Sequence, residues 1–462
     1  MSFSMNHTQT KSHAPGGVLE MMAIALPMIV SYGCDTVIMF CDRWLLAKLG
    51  PDLMNAAVGG GVSAFLMVSF GFGLIGYGTA LVAQYYGAGQ KEKCSIVTTQ
   101  AWIVGLVLYP IVLVVRPMMH GVFERMGVPA SQLGPQIQYF DIMAYGSIFV
   151  FARHAMASFF SGIGRTRIVM GASLTAMIVN VIASYILIYG KWGAPVLGIR
   201  GAGIGSVIGS VAAVGVLAAA YWGPKTRVEF AVDRSLVWRA DIMGKLLRFG
   251  SPSGMEMLLT LVAANGFVLA FHSLGPVVAT ASSILMNWDI SAFIPMMGLE
   301  VGVTSLVGRY LGARQPDIAH RATMSGLKVG CVYAMVLFVL FGVFAQPMVE
   351  MFRPSGVNMI FIDAMPMAVT MLRMISLYMF SIVFVVVFVG ALRGAGDTLW
   401  AMSYHVSLHW LAAGVLYGAT RWLGLSALAA WAWVIALFMA FSGMAWMRYR
   451  TGKWKSIQLI ES

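Results

Sequence analysis

The sequence predicts an all-α integral membrane protein with about twelve transmembrane helices in two pseudo-symmetric six-helix lobes. The first observation behind this prediction is composition: 59% of the 462 residues are hydrophobic, only 10% are charged, and the mean hydropathy is +0.81. A soluble domain carries about a quarter charged residues, so this chain needs lipid as part of its solvent. The second observation is an internal repeat that divides the chain into two halves.

Apolar runs follow one another along the chain, and each reaches the roughly 20 residues that a transmembrane helix needs. The predicted spans are 19–47, 56–86, 97–119, 135–160, 167–190, 202–223, 247–274, 278–311, 325–348, 368–391, 399–420 and 424–447. An even number of spans places both termini on one side of the membrane. Residues 1–17 are polar and lack the plan of a cleaved signal peptide, so we expect the first span to be retained.

Basic residues set the predicted orientation. About twenty of the 30 Lys and Arg residues lie in loops on the side of the termini, against roughly nine on the opposite side. Because cytoplasmic loops carry the excess of positive charge, we expect a multi-pass protein of the cell (inner or plasma) membrane with both termini cytoplasmic. The net charge of +12 is spread over these short loops. It forms no basic face on a folded domain, so we expect no nucleic-acid partner.

A ten-residue segment recurs at a distance of 225 residues along the chain. Residues 81–90 and 306–315 are identical at six of ten positions, and the same shift relates Pro27 to Pro252. Further matches extend over about sixty residues without a gap. Such an extended match is the signature of a structural repeat.

The repeat divides the chain into two lobes of the same orientation, because each half contains six predicted spans. We predict an N-lobe at residues 1–223, a cytoplasmic linker at 224–246, and a C-lobe at 247–462 that includes a cytoplasmic tail. Halves of this kind are related by a pseudo-two-fold axis along the membrane normal. Rocking one half against the other can open a cavity between them to either side, which is the architecture of a transporter.

Several motifs resemble those of the multidrug and toxic compound extrusion (MATE) family. In chain order they are Ala25-Leu26-Pro27, Asp42 before residues 46–50, residues 84–89, residues 162–166, Asn180, residues 197–203 and residues 391–398. Their order is that of the family, and they cover nearly the whole chain. The resemblance implies a V-shaped bundle of two lobes. It also implies cation-coupled antiport, in which Na⁺ or H⁺ enters while organic, often cationic, drugs leave.

Ionisable residues inside predicted spans are candidate coupling groups, since each costs roughly 2.5–3.5 kcal/mol at a helix centre on insertion scales. They are Asp35, Asp42, Glu256, Asp289 and Glu300, together with Arg153 and His154 in the fourth span. We predict that ion coupling uses residues from this set.

Asp42 matches the acidic position that the family carries at the end of its first helix, where the resemblance implies a proton or cation site facing the N-lobe cavity. The alternative is an ion pair with Arg153 or Lys48 that only holds helices together. Asp35 lies two helical turns earlier, on a similar face. A coupling role and a hydrogen bond to a neighbouring helix both remain open for Asp35.

Two glutamates of the second half are also predicted coupling residues. Glu256 follows Pro252 by one turn. NorM-like family members carry a cation-binding Glu on this helix. Counted from the proline, that family Glu would fall near Thr260, one turn after Glu256. A structural hydrogen bond is the alternative for Glu256. Glu300 is the repeat partner of Ile75 and lies roughly 18 Å from the loop at the helical rise, near mid-bilayer.

Two departures from the family bear on the coupling ion. NorM-like members carry an Asp late in the tenth helix, but residues 378–389 contain no acid, and the second acid of the fifth helix is Ser184 here. These losses favour H⁺ over Na⁺, with coupling through Asp42. The sequence shows no metal-ligand cluster, no P-loop lysine motif and no nucleophile–base constellation. We therefore expect no enzymatic activity, no cofactor and no metal.

Adaptable aromatic and Met-rich walls suit the binding of organic cations. The candidate cavity residues are Met286, Trp288, Asp289 and Phe293 in the eighth span, Met374, Tyr378 and Phe380 in the tenth, and Asn180 in the fifth. Core packing is the alternative for each apolar member, because helical stripes of such residues usually pack. The expected partners are small-molecule substrates and membrane lipid, with the protein functional as a monomer.

The leading functional hypothesis is therefore a secondary active exporter of small organic compounds. A lipid-linked oligosaccharide flippase of the same superfamily is a second hypothesis, although flippases usually offer a more cationic cavity. A channel or membrane sensor is a third, and the two-lobed repeat argues against it because no selectivity motif is present.

Overall fold

The computed structural model describes residues 14–353, 358–457 and 459–460. Within these residues the chain forms fifteen α-helices and three short 3₁₀ turns, and it contains no strand. The helices are α1 (Val18–Ala47), α2 (Pro51–Gly76), α3 (Gly78–Gly87), α4 (Lys91–Arg125), α5 (Ala130–Gly162), α6 (Thr166–Tyr189), α7 (Ile199–Tyr221), α8 (Pro224–Glu229), α9 (Ala240–His272), α10 (Pro276–Gly312), α11 (Pro316–Val343), α12 (Ala345–Glu350), α13 (Met359–Ala395), α14 (Thr398–Arg421) and α15 (Ala427–Arg450). The 3₁₀ turns are Lys191–Gly193, Val232–Arg234 and Lys453–Ser456.

Eleven helical stretches of the described chain are long and apolar enough to cross a membrane, with α2 and α3 counted as one. The remaining predicted span corresponds to α14, which has 24 residues but carries His405 and His409 within its apolar run. The second predicted span is not continuous. It divides at Tyr77, between Gly76 and Gly78, where the two glycines weaken the helix.

One predicted boundary differs in a way that affects the chemistry. The tenth span is predicted at 368–391, whereas α13 runs from Met359 to Ala395 and so includes Arg393. The predicted linker at residues 224–246 contains α8 and the beginning of α9. In both places helix continues through polar residues that hydropathy alone assigns to loops.

Each lobe is a bundle built around closely packed helices. In the N-lobe α7 packs on α6, α2 on α5, and α1 on α6. In the C-lobe α13 is the central helix, enclosed by α10, α11 and α15, and α14 packs on α9. The apolar side chains of α13, such as Val383 and Leu392, are fully buried.

The contact between the lobes follows the repeat. Helix α1 packs on α10, and α2 packs on α9, so the pseudo-two-fold axis exchanges one pair with the other. A Cβ atom on Gly87 would lie 1.8 Å from the carbonyl oxygen of Arg309, and one on Gly312 would lie 2.0 Å from that of Gln84. A shift of 225 residues converts the first contact into the second. The lobes therefore touch backbone to backbone at the axis, which only glycine permits.

The lobes are joined on one membrane face, the terminal face, which carries the beginning of α1 and the end of α15. There Tyr310 donates a hydrogen bond to Glu20 at 2.7 Å, across the boundary between lobes. The opposite face is called the far face. Toward it, α1 and α10 each contact a helix of their own lobe: Tyr189 of α6 donates to the Leu45 carbonyl of α1, and Tyr333 of α11 donates to the Ala292 carbonyl of α10. The result is the V-shaped arrangement that the resemblance implied.

Candidate functional site

The far half of α1 carries a buried carboxyl group. Asp42 is 3% exposed and accepts hydrogen bonds from Ser184 Oγ of α6 at 2.9 Å and Ser206 Oγ of α7 at 2.8 Å. Asn180 of α6 is fully buried and donates from Nδ2 to Ser206 Oγ at 3.1 Å. Three helices thus converge on one acid, and the predicted residues Asp42 and Asn180 lie in one cluster.

Small residues on α7 make this convergence possible. A Cβ atom on Gly205 would lie 2.3 Å from Ser184 Oγ, and one on Gly209 would lie 2.9 Å from Asn180 Cβ. The absence of side chains on this face lets α7 approach α6 closely, as in other small-residue helix contacts.

The predicted ion-pair partners of Asp42 are wrong, because both bind elsewhere. Arg153 contacts Asp35 at 2.8 Å, and the Lys48 ammonium lies 3.8 Å from the ring centre of Trp44. No Lys, Arg or His of the described chain forms an ion pair with Asp42, whose partners are neutral hydroxyl groups. An isolated carboxylate buried in this way is costly, so a proton or a bound cation must neutralise it.

Asp35 does not join Asp42, although it lies on the same helix two turns away. It pairs with Arg153 of α5, which also donates to Ser173 Oγ at 3.1 Å. The Asp35 side chain is 42% exposed. The predicted alternative of a bond to a neighbouring helix therefore describes Asp35 better than a free acid does. His154, beside Arg153, stacks on Phe72 with ring centres 3.7 Å apart.

The two predicted glutamates of the C-lobe are joined by an arginine. Arg393 of α13 contacts Glu256 Oε1 through Nη2 at 2.7 Å and Glu300 Oε1 through Nη1. His405 Nδ1 of α14 also contacts Glu256 Oε1. Helices α9, α10, α13 and α14 therefore meet at one charged cluster.

Sequence reasoning missed Arg393 and His405 as members of this cluster. Arg393 fell outside the predicted tenth span, and His405 was treated as part of an apolar run. A signal was present in each case. Intramembrane basic residues are expected to pair with acids, and two unpaired glutamates in one lobe required such partners.

Asp289 and Tyr378, predicted separately as cavity residues, are brought together by the structure. The Tyr378 hydroxyl group of α13 donates a hydrogen bond to Asp289 Oδ1 of α10 at 2.5 Å. Within the described residues no cation pairs with Asp289 either. Asp289 is thus the second intramembrane acid whose described partner is a hydroxyl group and not a basic residue.

The other predicted cavity residues of the C-lobe divide between core and surface. Trp288 donates from Nε1 to the Met348 carbonyl at 3.2 Å and packs against Phe341, so it is part of the core. Phe293 is 40% exposed. Met286 is half-buried. Met374 and Phe380 pack against the C-lobe core.

Comparison with known proteins identifies the family. The MatE family model matches residues 27–186 and again residues 252–411, an offset of 225 residues that equals the shift of the internal repeat. The chain is 27% identical over 414 residues to multidrug resistance protein PmpM of Pseudomonas aeruginosa, covering 87% of this chain and 84% of that protein. It is 24% identical over 459 residues to a probable multidrug resistance protein NorM of Bradyrhizobium diazoefficiens, covering 96% and 97%.

Solved structures show the same fold. A MOP superfamily transporter from Pyrococcus furiosus aligns with a TM-score of 0.85 at 18% identity, over 96% of this chain and all of that one. A multidrug resistance MATE family transporter in an outward-facing conformation aligns with a TM-score of 0.85 at 19% identity, again over 96% of this chain. The repeat, the two lobes and the family match agree, and the chain belongs to the MATE family of membrane transporters.

Proposed function

We propose that this protein exports small organic compounds, often cations, in exchange for protons by alternating access between its two lobes. The observation that carries the proposal is Asp42, a buried carboxyl group that has hydroxyl partners and no basic partner among the residues that the structure describes. Relatives of this chain are named multidrug resistance proteins, which supports the choice of organic compounds as substrates.

Proton coupling is favoured over Na⁺ by the partners of Asp42. The cluster holds a single carboxyl group that accepts from two serine hydroxyl groups, because the second acid that the family often carries in the fifth span is Ser184 here. A proton on Asp42 converts one of these bonds from accepted to donated without any change in position. The cluster therefore suits a carboxyl group that gains and loses a proton.

The open side of the V supports a substrate path between the lobes. With both termini cytoplasmic, as the basic residues favour, the terminal face is the closed face and the far face opens outward. Asp289 and Tyr378 are the residues that we propose for contact with a cationic substrate. Asp289 has no basic partner within the described chain, and the buried Tyr378 hydroxyl group orients its carboxyl group.

A flippase for anionic lipid-linked sugars is less well supported. Such a substrate needs free positive charge in the cavity, but Arg153 is neutralised by Asp35, and Arg393 is neutralised by Glu256 and Glu300. Asp42 and Asp289, in contrast, have no basic partner within the described chain, which leaves their negative charge uncompensated. It favours cationic cargo.

Dye efflux from dye-loaded, right-side-out membrane vesicles under an imposed proton or sodium gradient tests the proposal. We expect the proton gradient to drive efflux in the wild type and Asp42→Asn to abolish it. Asp52→Asn, at an exposed acid bonded to Gln132, is the matched control and should leave efflux unchanged. Normal efflux by Asp42→Asn on either gradient contradicts the assignment of Asp42. Passive dye flux without saturation would instead favour a channel.

A further inference from the structure

We propose that His405 is a proton-binding residue of the C-lobe and that it forms one titrating pair with Glu256. This inference rests on the proposed proton coupling, and it adds a second proton site to the one at Asp42. His405 belongs to α14, the predicted span whose apolar run the histidines interrupt.

The geometry places an imidazole directly against a buried acid. His405 Nδ1 contacts Glu256 Oε1, the same oxygen that accepts from Arg393 Nη2 at 2.7 Å. Glu256 is 6% exposed, and the His405 side chain is 17% exposed. The pair is thus enclosed by protein while part of the imidazole ring remains reachable.

Charge counting shows that one proton balances the cluster. Glu256 and Glu300 contribute two negative charges and Arg393 one positive charge, so with neutral His405 the net charge is minus one. With Glu256 ionised, the Nδ1–H group of His405 donates to Glu256 Oε1. A proton added at Nε2 then gives the imidazolium and brings the net charge to zero, and its release from Nε2 restores the first state.

The surroundings of His405 contain few other ionisable groups. Helix α9 presents Glu256, α13 presents Arg393, and α10 presents Glu300 through that arginine. On α14 itself the His409 ring nitrogen contacts the His405 carbonyl, and Tyr404 is the adjacent residue.

Helices α1 and α15 complete the surroundings of the cluster. Tyr32 of α1 lies within electrostatic range of Arg393 and Glu300. From α15, the apolar rings of Phe438 and Phe441 pack against His409 and Tyr404 of α14. Helix α15 therefore brings no acid to the cluster, and the other proton-binding groups near the His405–Glu256 pair are Glu300 and His409.

Buried polar atoms beside the pair have unused hydrogen-bonding capacity. Glu256 Oε2, Ser253 Oγ and Thr260 Oγ1 lie on one face of α9 and make no hydrogen bond within the described structure, and Arg393 Nε is also unpaired. Buried polar groups without partners are unusual and point to a ligand or solvent. A row of such atoms along α9 gives a hydrated proton a path to Glu256 and His405.

NMR of isotope-labelled histidines in the purified full-length protein tests the proton site without transport. The resonance absent from His405→Gln assigns the residue. We compare samples at about pH 5 and about pH 9, and we expect the His405 resonance to differ between them in the wild type and to respond differently in Glu256→Gln. His272→Gln, at an exposed position on the last turn of α9, is the matched control. A His405 resonance that does not move over this range overturns the proposal.

Transport separates this inference from the proposed function. Glutamine keeps a hydrogen bond to Glu256 but cannot carry the proton, so His405→Gln should lose the pH dependence that the C-lobe contributes while Asp42-dependent exchange persists. His405→Lys, which fixes the positive charge, should likewise remove it. An unchanged pH profile in both variants assigns His405 a structural role and overturns the inference. Failure of Asp42→Asn to impair efflux would contradict the proposed function alone.

Discussion

At the scale of single residues, the intramembrane acids differ in what neutralises them. Glu256 and Glu300 share Arg393 in a buried ion-paired cluster. Removing these charges from water costs free energy, and their mutual attraction offsets that cost only while every member is present. Asp42 and Asp289 have hydroxyl partners instead. Both arrangements connect neighbouring helices, and we propose that an acid with only hydroxyl partners exchanges a proton for another cation.

Removal of Arg393 should destabilise the C-lobe, because it leaves two buried carboxylates without a cation. We expect Arg393→Met to lower the free energy of unfolding by about 3 kcal/mol, seen as a lower melting temperature in detergent. Restoring charge balance with Glu256→Gln and Glu300→Gln in the same protein should recover most of this loss. A triple variant no more stable than Arg393→Met would show that the arginine acts through packing.

The partners of these acids could not be read from the sequence, although the acids themselves could. Hydropathy identifies a charged residue within an apolar run whatever its neighbours are, so Asp42, Glu256 and Glu300 were found. Which helix faces which is set by tertiary packing. For that reason Arg153 was assigned to Asp42 rather than to Asp35, and His405 was not recognised.

At the scale of helices and connections, the segment between the lobes is attached to the N-lobe. Glu229, at the end of α8, contacts Lys91 at 2.9 Å and Arg165 at 2.5 Å. Phe230 is fully buried, and its carbonyl accepts from Ser95 Oγ at 2.7 Å. These contacts anchor the connection to the beginnings of α4 and α6.

The pH dependence of this attachment follows from Glu229. Burial by itself would raise the pKa of Glu229, but hydrogen bonds from Lys91 and Arg165 outweigh it and lower the pKa below 4.5. A lowered pKa in the folded state stabilises the protein above the unfolded value of 4.5, and this contribution is lost as the pH falls below that value.

Glu229→Gln should therefore lower stability near neutral pH by about 1 kcal/mol, because both ion pairs are partly exposed. The difference from the wild type should shrink as the pH falls below 4.5. Thermal unfolding in detergent at several pH values measures it. Asp233→Asn, at an exposed acid paired with Arg227, is a control expected to change little. Equal effects of Glu229→Gln at all pH values would contradict this account.

The helices differ in how well the sequence predicts them. Long apolar runs predicted the spans because a bilayer requires them, but the division at Tyr77 depends on two single glycines within an apolar run. The extension of α13 through Arg393 was missed because its charge is compensated by acids on other helices. Local composition cannot report such long-range compensation.

At the scale of the whole molecule, the repeat predicts both the shape and the motion. The contacts of Gly87 with Arg309 and of Gly312 with Gln84 join the lobes on the terminal face. Opening of this face requires those backbone contacts to separate. A bulkier residue at either glycine blocks the closed arrangement and should favour an opening toward the terminal face.

Spin labels at Glu92 and Asp317, which are repeat-related positions on the terminal face, measure this opening. In a background without the four native cysteines, we expect Gly87→Leu to lengthen the distance between the two labels. Gly121→Leu is the control, because nothing lies within 4 Å of a Cβ atom at Gly121. An unchanged distance in folded Gly87→Leu protein would exclude this contact as the closing element.

The central claim is that Asp42 couples the movement of an organic cation to the opposite movement of a proton. The most direct measurement uses sodium-free liposomes that contain the purified protein and a pH-sensitive dye, with no gradient imposed. Addition of ethidium outside should raise the luminal pH in wild-type vesicles, because protons leave as the cation enters. Asp42→Asn vesicles and protein-free liposomes should show no rise. A rise that persists in Asp42→Asn, or one that requires sodium, would contradict the claim.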